Sequence, residues 1–329
     1  MKALVTGTAG FIGSHLSTAL LARGASVVGI DCFTDYYARE TKEANLAPLK
    51  AHQNFRFVED QLQTVDFAPL LEGVTHVFHL AAQAGVRKSW GKDFQTYTTN
   101  NVDATQRLLE NLVGRPIEKL VYASSSSVYG DLVQIPMTED ALPQPVSPYG
   151  VTKLAAEQLC YLYFANYAVP TVALRYFTVY GPRQRPDMGF HRFIRAILTG
   201  QPISLYGDGE QTRDFTFISD IVAATMAAGD RGKPGAVYNI GGGSRVSINQ
   251  VFEIIGRITG RTPDIRREGA QMGDMRDTFA DTTRAKTDLG FAPATSLEAG
   301  LKAECDWLTG VLNPSPSGTT VTMPTVTVK

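Results

Sequence analysis

The sequence is poor in cysteine, in net charge and in long hydrophobic runs. Its 329 residues include three cysteines, Cys32, Cys160 and Cys305. Thiols so few and so widely spaced exclude a disulfide framework and a cysteine metal cluster, and they are typical of a reducing compartment. The 31 basic residues are offset by 32 acidic ones, so we expect no nucleic-acid-binding surface.

Membrane segments and metal sites are not expected either. No apolar run is long enough to cross a bilayer, and a strand predicted from Lys2 leaves no room for a signal peptide. We therefore expect a cytoplasmic protein without a membrane partner. The five histidines show no metal-ligand spacing, so we expect no metal. Residues from about 313 onward lack large apolar anchors, which predicts a flexible tail over residues 312–329.

Glycine, in contrast, is concentrated near the start of the chain. Residues 6–13 read TGTAGFIG and lie between a short apolar strand and an amphipathic helix that ends at residues 23–24. A Cβ atom at these glycines would block the tight turn and the approach of an anion to the helix N-terminus. The spacing departs from the commoner dinucleotide fingerprint, and a glycine triplet alone is also compatible with a simple turn. The flanking strand and helix favour a dinucleotide site.

An acidic residue supports this interpretation. The second predicted strand, residues 26–30, is followed by Asp31, at roughly the spacing where a carboxylate meets the adenosine ribose of a dinucleotide. Such a carboxylate accepts hydrogen bonds from the ribose 2'-hydroxyl and repels a 2'-phosphate. Neither Cys32 nor Phe33 supplies the arginine of an NADP site. The sequence therefore predicts NAD as the cofactor.

Strands and helices continue to alternate along the chain. Strands are predicted at 55–58, 76–80, 119–124 and 171–176, with helices at 101–113 and 149–166. This pattern predicts an α/β fold with a Rossmann-type doubly wound parallel sheet. Beyond Thr178 the pattern loosens, apart from a strand at 236–240 and a capping box at 247–250.

The change in pattern suggests two domains. We expect an NAD-binding domain over residues 1–177, to which a segment at about 210–242 returns. Residues 178–209 and 243–311 would form a smaller C-terminal substrate-binding lobe. This lobe would cover the carboxyl ends of the strands, where ligands of open α/β sheets bind.

Tyr149 and Lys153 are the first candidates for catalysis. If Ser147 caps a helix and Pro148 takes its first position, the two side chains lie one turn apart on one face. A tyrosine of pKa near ~10 is a poor base, but an adjacent cation favours the phenolate and makes proton exchange with a hydroxyl feasible. The same spacing also arises by chance. Combined with a dinucleotide site, it indicates carbinol-carbonyl redox chemistry.

A set of motifs resembles the extended short-chain dehydrogenase/reductase family, specifically its nucleotide-sugar epimerase branch. The similarity runs from Lys2 to about residue 311. The motifs are Thr6–Gly13, Asp60–Leu62, His79–Gln83, Asn101, Ser124–Gly130, Tyr149–Lys153 and Gly207–Asp214.

The resemblance implies roles for matching residues. Tyr149 would be the acid/base, Lys153 would bind the nicotinamide ribose and lower the tyrosine pKa, and Ser125 would hydrogen-bond the reacting hydroxyl. Arg213 would bind the diphosphate of a UDP-sugar with help from Arg276. The implied cofactor contacts are Gly7, Gly10, Phe11, Ile12, Gly13, Asp31, Asp60, Gln61, Leu62, Leu80, Ala81, Ala82, Gln83, Asn100, Tyr149, Lys153 and Tyr176. The implied substrate contacts are Arg87, Ser126, Ser127, Thr178, Arg185, Arg192, Arg213 and Arg276.

Two serines separate the subclasses of this family. Sugar dehydratases carry an Asp-Glu pair before the Val-Tyr-Gly motif and UDP-glucuronate decarboxylases carry a glutamate, whereas this chain has Ser126 and Ser127. The resemblance therefore implies an epimerase, which oxidises C4 of the sugar with bound NAD, turns the 4-keto ring over and returns the hydride. Residues 31–37, 81–87 and 175–188 look more like UDP-glucuronate 4-epimerases than glucose/galactose enzymes.

A glucuronate substrate adds one chemical requirement. Beside a C4 ketone its carboxylate is part of a β-keto acid, which loses CO2 when the C–C bond aligns with the carbonyl π system. We hypothesise that Arg185 clamps the carboxylate together with Thr178. The competing arginines are Arg183, Arg192 and Arg195.

Other functions stay open at this stage. They are a UDP-glucose/galactose or UDP-N-acetylhexosamine 4-epimerase, a UDP-glucuronate decarboxylase and a non-catalytic NAD-binding sensor. The helix after Tyr149 is apolar on more than one face. We therefore also expect a homodimer, with one face on the sheet and another on a second subunit.

Overall fold

The computed structural model describes residues 1–131, 134–269, 273 and 275–313. Its strands are β1 (Lys2–Thr6), β2 (Ser26–Asp31), β3 (Phe55–Glu59), β4 (His76–His79), β5 (Lys119–Ser125), β6 (Thr171–Tyr176), β7 (Thr178–Tyr180), β8 (Ile203–Tyr206), β9 (Thr212–Phe217), β10 (Val237–Ile240), β11 (Arg245–Ser247) and β12 (Ile265–Glu268). Its α-helices are α1 (Phe11–Ala22), α2 (Arg39–Lys50), α3 (Ala68–Leu71), α4 (Phe94–Tyr97), α5 (Ala104–Leu112), α6 (Pro148–Tyr167), α7 (Gly189–Thr199), α8 (Ile218–Arg231), α9 (Ile248–Thr259), α10 (Thr283–Leu289) and α11 (Leu297–Leu312).

Seven strands form one parallel sheet in the order β10-β6-β5-β4-β1-β2-β3. The chain builds outward from β1 in one direction as far as β3 and then in the other from β4, so the strand order reverses between β1 and β4. This is the topology of a doubly wound Rossmann-type sheet, and the predicted fold class is confirmed. Ligands of such sheets bind beyond the carboxyl ends of the strands at the reversal point.

Both faces of the sheet are covered by helices. In β1, Ala3 and Val5 point into a core with α1 and α8, while Leu4 points into a second core with α5 and α6. Side chains alternate across a strand, and both faces are buried, so β1 is apolar throughout rather than alternating apolar with polar.

A third apolar core lies in the C-terminal half. It is formed by residues of α7, α9 and α11 together with Tyr180 and Phe215. Strand β9 pairs with β7 and β11 in a separate sheet, whereas β10 extends the seven-stranded sheet. Of the segment predicted to return to the NAD-binding domain, β10 therefore joins the seven-stranded sheet and β9 does not. The division into an NAD-binding domain and a smaller lobe stays a prediction.

Local sequence signals match several element ends. Ser147 caps α6 through a hydrogen bond from the Gly150 amide (3.1 Å), and Pro148 is the first helical residue, as predicted. Ser247 and Gln250 form the predicted capping box of α9. The helix predicted from residue 101 differs, because residues Thr98–Asp103 form a π-helix and α5 begins at Ala104.

No α-helix in the described part of the chain is both long and apolar enough to span a membrane. Of the predicted tail, Leu312 ends α11 and Asn313 follows it. The rest of that predicted tail, residues 314–329, lies outside the described residues.

Candidate active site

A cavity of about 830 Å³ opens at the carboxyl edge of the seven-stranded sheet. It contains residues from the ends of β1, β2, β4, β5 and β6 and from the loop after β7. Every residue predicted for cofactor or substrate lines this cavity except Gln61 and Arg276. The tertiary structure therefore brings nearly the whole predicted set to one place.

The glycine turn lies at one end of the cavity. Gly7 has a positive φ of 72°, and a Cβ atom on Gly13 would collide with the Gly7 carbonyl oxygen. The Gly10 amide donates to that same carbonyl (3.0 Å). Gly10 is the N-cap of α1 and has no side chain that could occupy the first helical N–H groups. The turn therefore fits the diphosphate of a dinucleotide at a helix N-terminus.

Asp31 lies where β2 ends. Its carboxylate accepts hydrogen bonds from the amides of Ala9 (3.1 Å) and Phe33 (2.9 Å). Burial raises the pKa of Asp31, whereas these hydrogen bonds and the nearby Lys42 lower it. The two amides hold the carboxylate against the glycine turn, in a position that suits a ribose hydroxyl.

The reversal point of the sheet is closed by a buried polar network. The Thr6 hydroxyl accepts from the amides of Leu80 (3.1 Å) and Ala81 (3.0 Å) and is bonded to a ring nitrogen of His79 (2.8 Å). The other His79 nitrogen is bonded to Thr105 (2.9 Å). Burial lowers the pKa of His79 to about 3, so the ring is neutral. His79 therefore joins β4 to β1 and α5.

The three predicted catalytic residues all line the cavity. Tyr149 and Lys153 lie on α6 and Ser125 ends β5. Burial raises the pKa of Tyr149, while its hydrogen bond with Ser125 and the charge of Arg185 lower it. The family resemblance implied that Lys153 lowers the Tyr149 pKa, whereas in the structure the cation with this effect is Arg185. The Lys153 Nζ lies over the Tyr122 ring, 4.5 Å from its centroid, and burial lowers the Lys153 pKa to about 7.

The serine run turns sharply beside α6. The Ser125 hydroxyl accepts from the Ser127 amide (3.2 Å), which starts a short 3-10 turn over Ser126–Val128. A Cβ atom on Gly150 would collide with the Ser127 carbonyl oxygen. Glycine therefore lets α6 approach the serine turn closely enough for Tyr149 and Ser125 to bond.

The predicted substrate arginines have different surroundings. The Arg87 guanidinium lies 4.4 Å from the Tyr206 ring centroid, and Arg213 donates to the carbonyl oxygens of Thr212 (2.9 Å) and Arg276 (3.1 Å). Arg276 itself lies outside the cavity and pairs with Asp208 (3.0 Å) in an exposed position.

Gln61 also lies outside the cavity. Its side chain is exposed, and its amide bonds to the carboxylate of the preceding Asp60 (2.7 Å). The family motif assigned Gln61 to the cofactor together with Asp60 and Leu62, but the side chains of three consecutive residues cannot all face one side.

Arg185 is a predicted substrate residue whose charge acts on Tyr149. Its guanidinium lines the cavity and pairs with Asp187 through Nε (3.0 Å) and Nη2 (3.0 Å). Asp187 and Tyr36 also line the cavity, although neither was predicted as a site residue. Both lie within segments marked as typical of glucuronate enzymes, which was the available signal.

Comparisons with known proteins agree with this geometry. A Bacillus subtilis (strain 168) protein named an uncharacterized UDP-glucose epimerase is 46% identical over 94% of this chain and 99% of its own length. A UDP-glucuronate 4-epimerase from Thermodesulfobacterium geofontis (strain OPF15) is 40% identical over 92% of this chain and 95% of its own length.

A solved structure is similar over the whole fold. It is UDP-glucuronic acid 4-epimerase from Bacillus cereus in complex with UDP-glucuronic acid and NAD. The TM-score is 0.92 at 45% identity, and the match covers 94% of this chain and 100% of that chain. Residues 3–241 match the profile of the NAD dependent epimerase/dehydratase family. The predicted family and its NAD cofactor are confirmed, and this chain belongs to the NAD dependent epimerase/dehydratase family.

Proposed function

We propose that this protein is a UDP-glucuronate 4-epimerase, an isomerase that interconverts UDP-glucuronate and UDP-galacturonate. The observation that carries the proposal is the position of Arg185, which lines the same cavity as Tyr149, Ser125 and Lys153 and acts electrostatically on Tyr149. A cation beside the acid/base suits a sugar that carries a carboxylate. Similar proteins named UDP-glucuronate 4-epimerases support this substrate.

The chain's own residues supply the proton transfer. Tyr149 takes the proton of the sugar 4-hydroxyl, and Ser125 hydrogen-bonds the same oxygen. When bound, NAD would supply a reversible hydride acceptor for C4, so that the 4-keto ring can turn over before C4 is reduced on its opposite face. Tyr149 then gives the proton back, so the reaction is redox-neutral overall. Lys153 and Asp31 would bind the cofactor riboses.

Arg185 would determine whether the 4-keto sugar keeps its carboxylate or loses it as CO2. Its guanidinium presents planar, paired donors to a carboxylate. With Thr178 it would hold the carboxylate so that the C5–C6 bond stays out of line with the C4 carbonyl π system. The turn after β5 contains Ser126 and Ser127 instead of the acids that dehydratases and decarboxylases carry there.

The test is incubation of the purified protein with UDP-glucuronate, and separately with UDP-glucose, without added NAD. Anomeric proton signals in NMR distinguish the C4 epimers and any UDP-pentose. We expect UDP-galacturonate without UDP-pentose. Replacing Arg185 by alanine should lower kcat/KM for UDP-glucuronate severely, and a near-normal value would refute the clamp.

A second candidate is a UDP-glucose 4-epimerase. It is favoured by the name of the Bacillus subtilis relative, which is 46% identical to this chain. Conversion of UDP-glucose alone in the same NMR experiment would select it. UDP-N-acetylhexosamines belong in a third incubation, since a structural neighbour is a UDP-N-acetylglucosamine 4-epimerase.

We also propose a cytoplasmic homodimer. Several apolar side chains of α6 are exposed, among them Val151 (47%), Leu162 (48%) and Tyr167 (56%). A second subunit would cover such exposed apolar side chains. Light scattering at micromolar concentration should give the mass of a dimer, and a monomer mass would contradict the proposal.

A further inference from the structure

Asp187 holds the guanidinium of Arg185 in a fixed orientation. The two side chains form a paired contact, Nε to Oδ1 and Nη2 to Oδ2, each 3.0 Å long. Their side chains are 22% and 26% exposed and both line the cavity. A guanidinium has five N–H donors in a planar fork. The contact with Asp187 uses two of them and leaves three for a ligand.

The Tyr36 hydroxyl contacts the same carboxylate. Its hydroxyl donates to Oδ2 of Asp187 over 3.4 Å, and the Arg185 guanidinium lies 5.9 Å from its ring centroid. The hydroxyl packs against Gly85, where a Cβ atom would collide with it and where φ is 106°. Burial and the charge of Asp187 raise the pKa of Tyr36, so its hydroxyl stays a proton donor.

The loop that carries Tyr36 is anchored at the cofactor end of the cavity. Asp31 bonds the amide of Phe33 (2.9 Å), and the buried Lys42 donates to the carbonyl oxygen of Thr34 (2.7 Å). Tyr36 follows five residues after Asp31. The loop therefore runs from the predicted ribose contact to the ion pair beside the sugar position.

We propose that Tyr36 and Asp187 are positioning residues for Arg185, and that they determine how often the 4-keto sugar loses CO2 instead of completing epimerisation. This rests on the proposed function. With Asp187 in place, the guanidinium receives the sugar carboxylate in one orientation. Without it, the guanidinium and the bound carboxylate rotate, and the C5–C6 bond reaches the orientation in which it breaks.

The side reaction is the loss of CO2 from the 4-keto sugar. The C5–C6 bond breaks and CO2 leaves, while the electron pair of that bond forms an enolate with the C4 carbonyl. Carbon C5 then takes a proton, which yields a UDP-4-keto-pentose. The hydride removed from C4 stays on the cofactor, so one reduced cofactor accompanies each CO2. The UDP-4-keto-pentose and the reduced cofactor therefore report directly on the orientation of the carboxylate.

The experiment compares Asp187→Asn and Tyr36→Phe with the wild-type chain. Each is incubated with UDP-glucuronate, and NMR measures the ratio of decarboxylated products to UDP-galacturonate while absorbance follows reduced cofactor. We expect the ratio to rise at least about tenfold for Asp187→Asn, the effect of one lost charge-assisted hydrogen bond, and less for Tyr36→Phe. Asp35→Asn removes an exposed carboxylate of the same loop and should leave the ratio unchanged.

Affinity for UDP, measured by calorimetry, distinguishes positioning from misfolding. It should stay within about twofold of wild type in both variants, because UDP does not carry the sugar carboxylate. If Asp187→Asn does not fold, Tyr36→Phe, which keeps the ring, still tests the proposal.

The outcomes separate this inference from the proposed function. If the wild-type protein makes no UDP-galacturonate, both fail. If the wild type epimerises and Arg185→Ala loses CO2, but Asp187→Asn and Tyr36→Phe keep the wild-type ratio, only the positioning role is overturned. A rise in the ratio for Asp187→Asn and Tyr36→Phe, with Asp35→Asn unchanged, supports it.

Discussion

The guanidinium of Arg175 forms a buried two-bonded pair with the carboxylate of Glu157. The distances are 2.6 Å from Nη2 to Oε1 and 3.1 Å from Nε to Oε2. The Ser124 hydroxyl also donates to Oε2 (2.5 Å). Because Glu157 lies one turn beyond Lys153 on α6, the pair fixes the catalytic helix to β5 and β6. The Glu157 charge also partly offsets the burial that lowers the pKa of Lys153.

We first predict that Glu157→Gln lowers the free energy of unfolding by about 3–5 kcal/mol, because it leaves the Arg175 charge buried and uncompensated. Urea unfolding of the ligand-free protein measures this. Lys302→Ala, which breaks an exposed pair with Asp306, is the control and should not change the midpoint detectably. Equal midpoints for Glu157→Gln and the wild type would show that the buried pair is not stabilising.

A second prediction concerns pH. Burial lowers the pKa of Lys153 to about 7, below its unfolded value near ~10.4. Between these values the unfolded chain holds a proton that the folded chain has released, so stability rises with pH across this window. Lys153→Met removes that titration. The difference in unfolding free energy, wild type minus variant, should therefore increase by roughly 1 kcal/mol per pH unit between about pH 7.5 and 9.5.

The control for the pH series is Lys286→Met, which removes an exposed lysine of α10. Its difference from wild type should be nearly independent of pH over the same range. A pH-independent difference for Lys153→Met as well would mean that Lys153 keeps its ordinary pKa in the folded protein.

A third prediction separates chemistry from binding at Tyr149. Tyr149→Phe should lower kcat by about 10²- to 10⁴-fold, because the acid/base is lost. The ring contact with Tyr97, at 6.3 Å between centroids, does not need the hydroxyl. NAD content and UDP affinity should therefore match wild type. Tyr161→Phe, on an exposed part of the same helix, should keep full activity. An active Tyr149→Phe enzyme would exclude Tyr149 as the acid/base.

The fourth prediction tests the glycine turn. Gly13→Ala places a Cβ atom against the Gly7 carbonyl, so the turn must open and NAD binding should be lost. The nucleotide content of the purified protein measures this. The matched control is Gly269→Ala, because a Cβ atom there meets open space. Retention of NAD by Gly13→Ala would show that the turn tolerates a side chain.

Local signals predicted much of the site. The cap formed by Ser147, the first-turn Pro148 and the four-residue spacing from Tyr149 to Lys153 depend only on neighbouring residues, and each lies as expected. Of the residues that family motifs assigned to cofactor or substrate, all but Gln61 and Arg276 line the cavity. A motif records which segment approaches a ligand, whereas the direction of each side chain depends on the turn that the segment makes.

The sequence pattern could not predict contacts between segments that are distant along the chain. Tyr36 and Asp187 are 151 residues apart, and no periodicity joins them. Glu157 and Arg175 were assigned to a helix and a strand, with nothing to indicate that their charges pair inside the protein. Residues 101–103, the second half of the π-helix at Thr98–Asp103, were likewise predicted as ordinary helix, since apolar spacing differs little between the two.

By itself, the sequence determined the dinucleotide turn, the alternation of strands and helices and the pairing of a tyrosine with a lysine on one helical face. These follow from backbone freedom at glycine, from side-chain periodicity and from capping, all of which act over a few residues. Only the tertiary structure decided that burial raises the pKa of Tyr149 while the charge of Arg185 partly opposes it, and that Asp187 orients Arg185. Electrostatic effects depend on distance through space and on burial, and folding sets both.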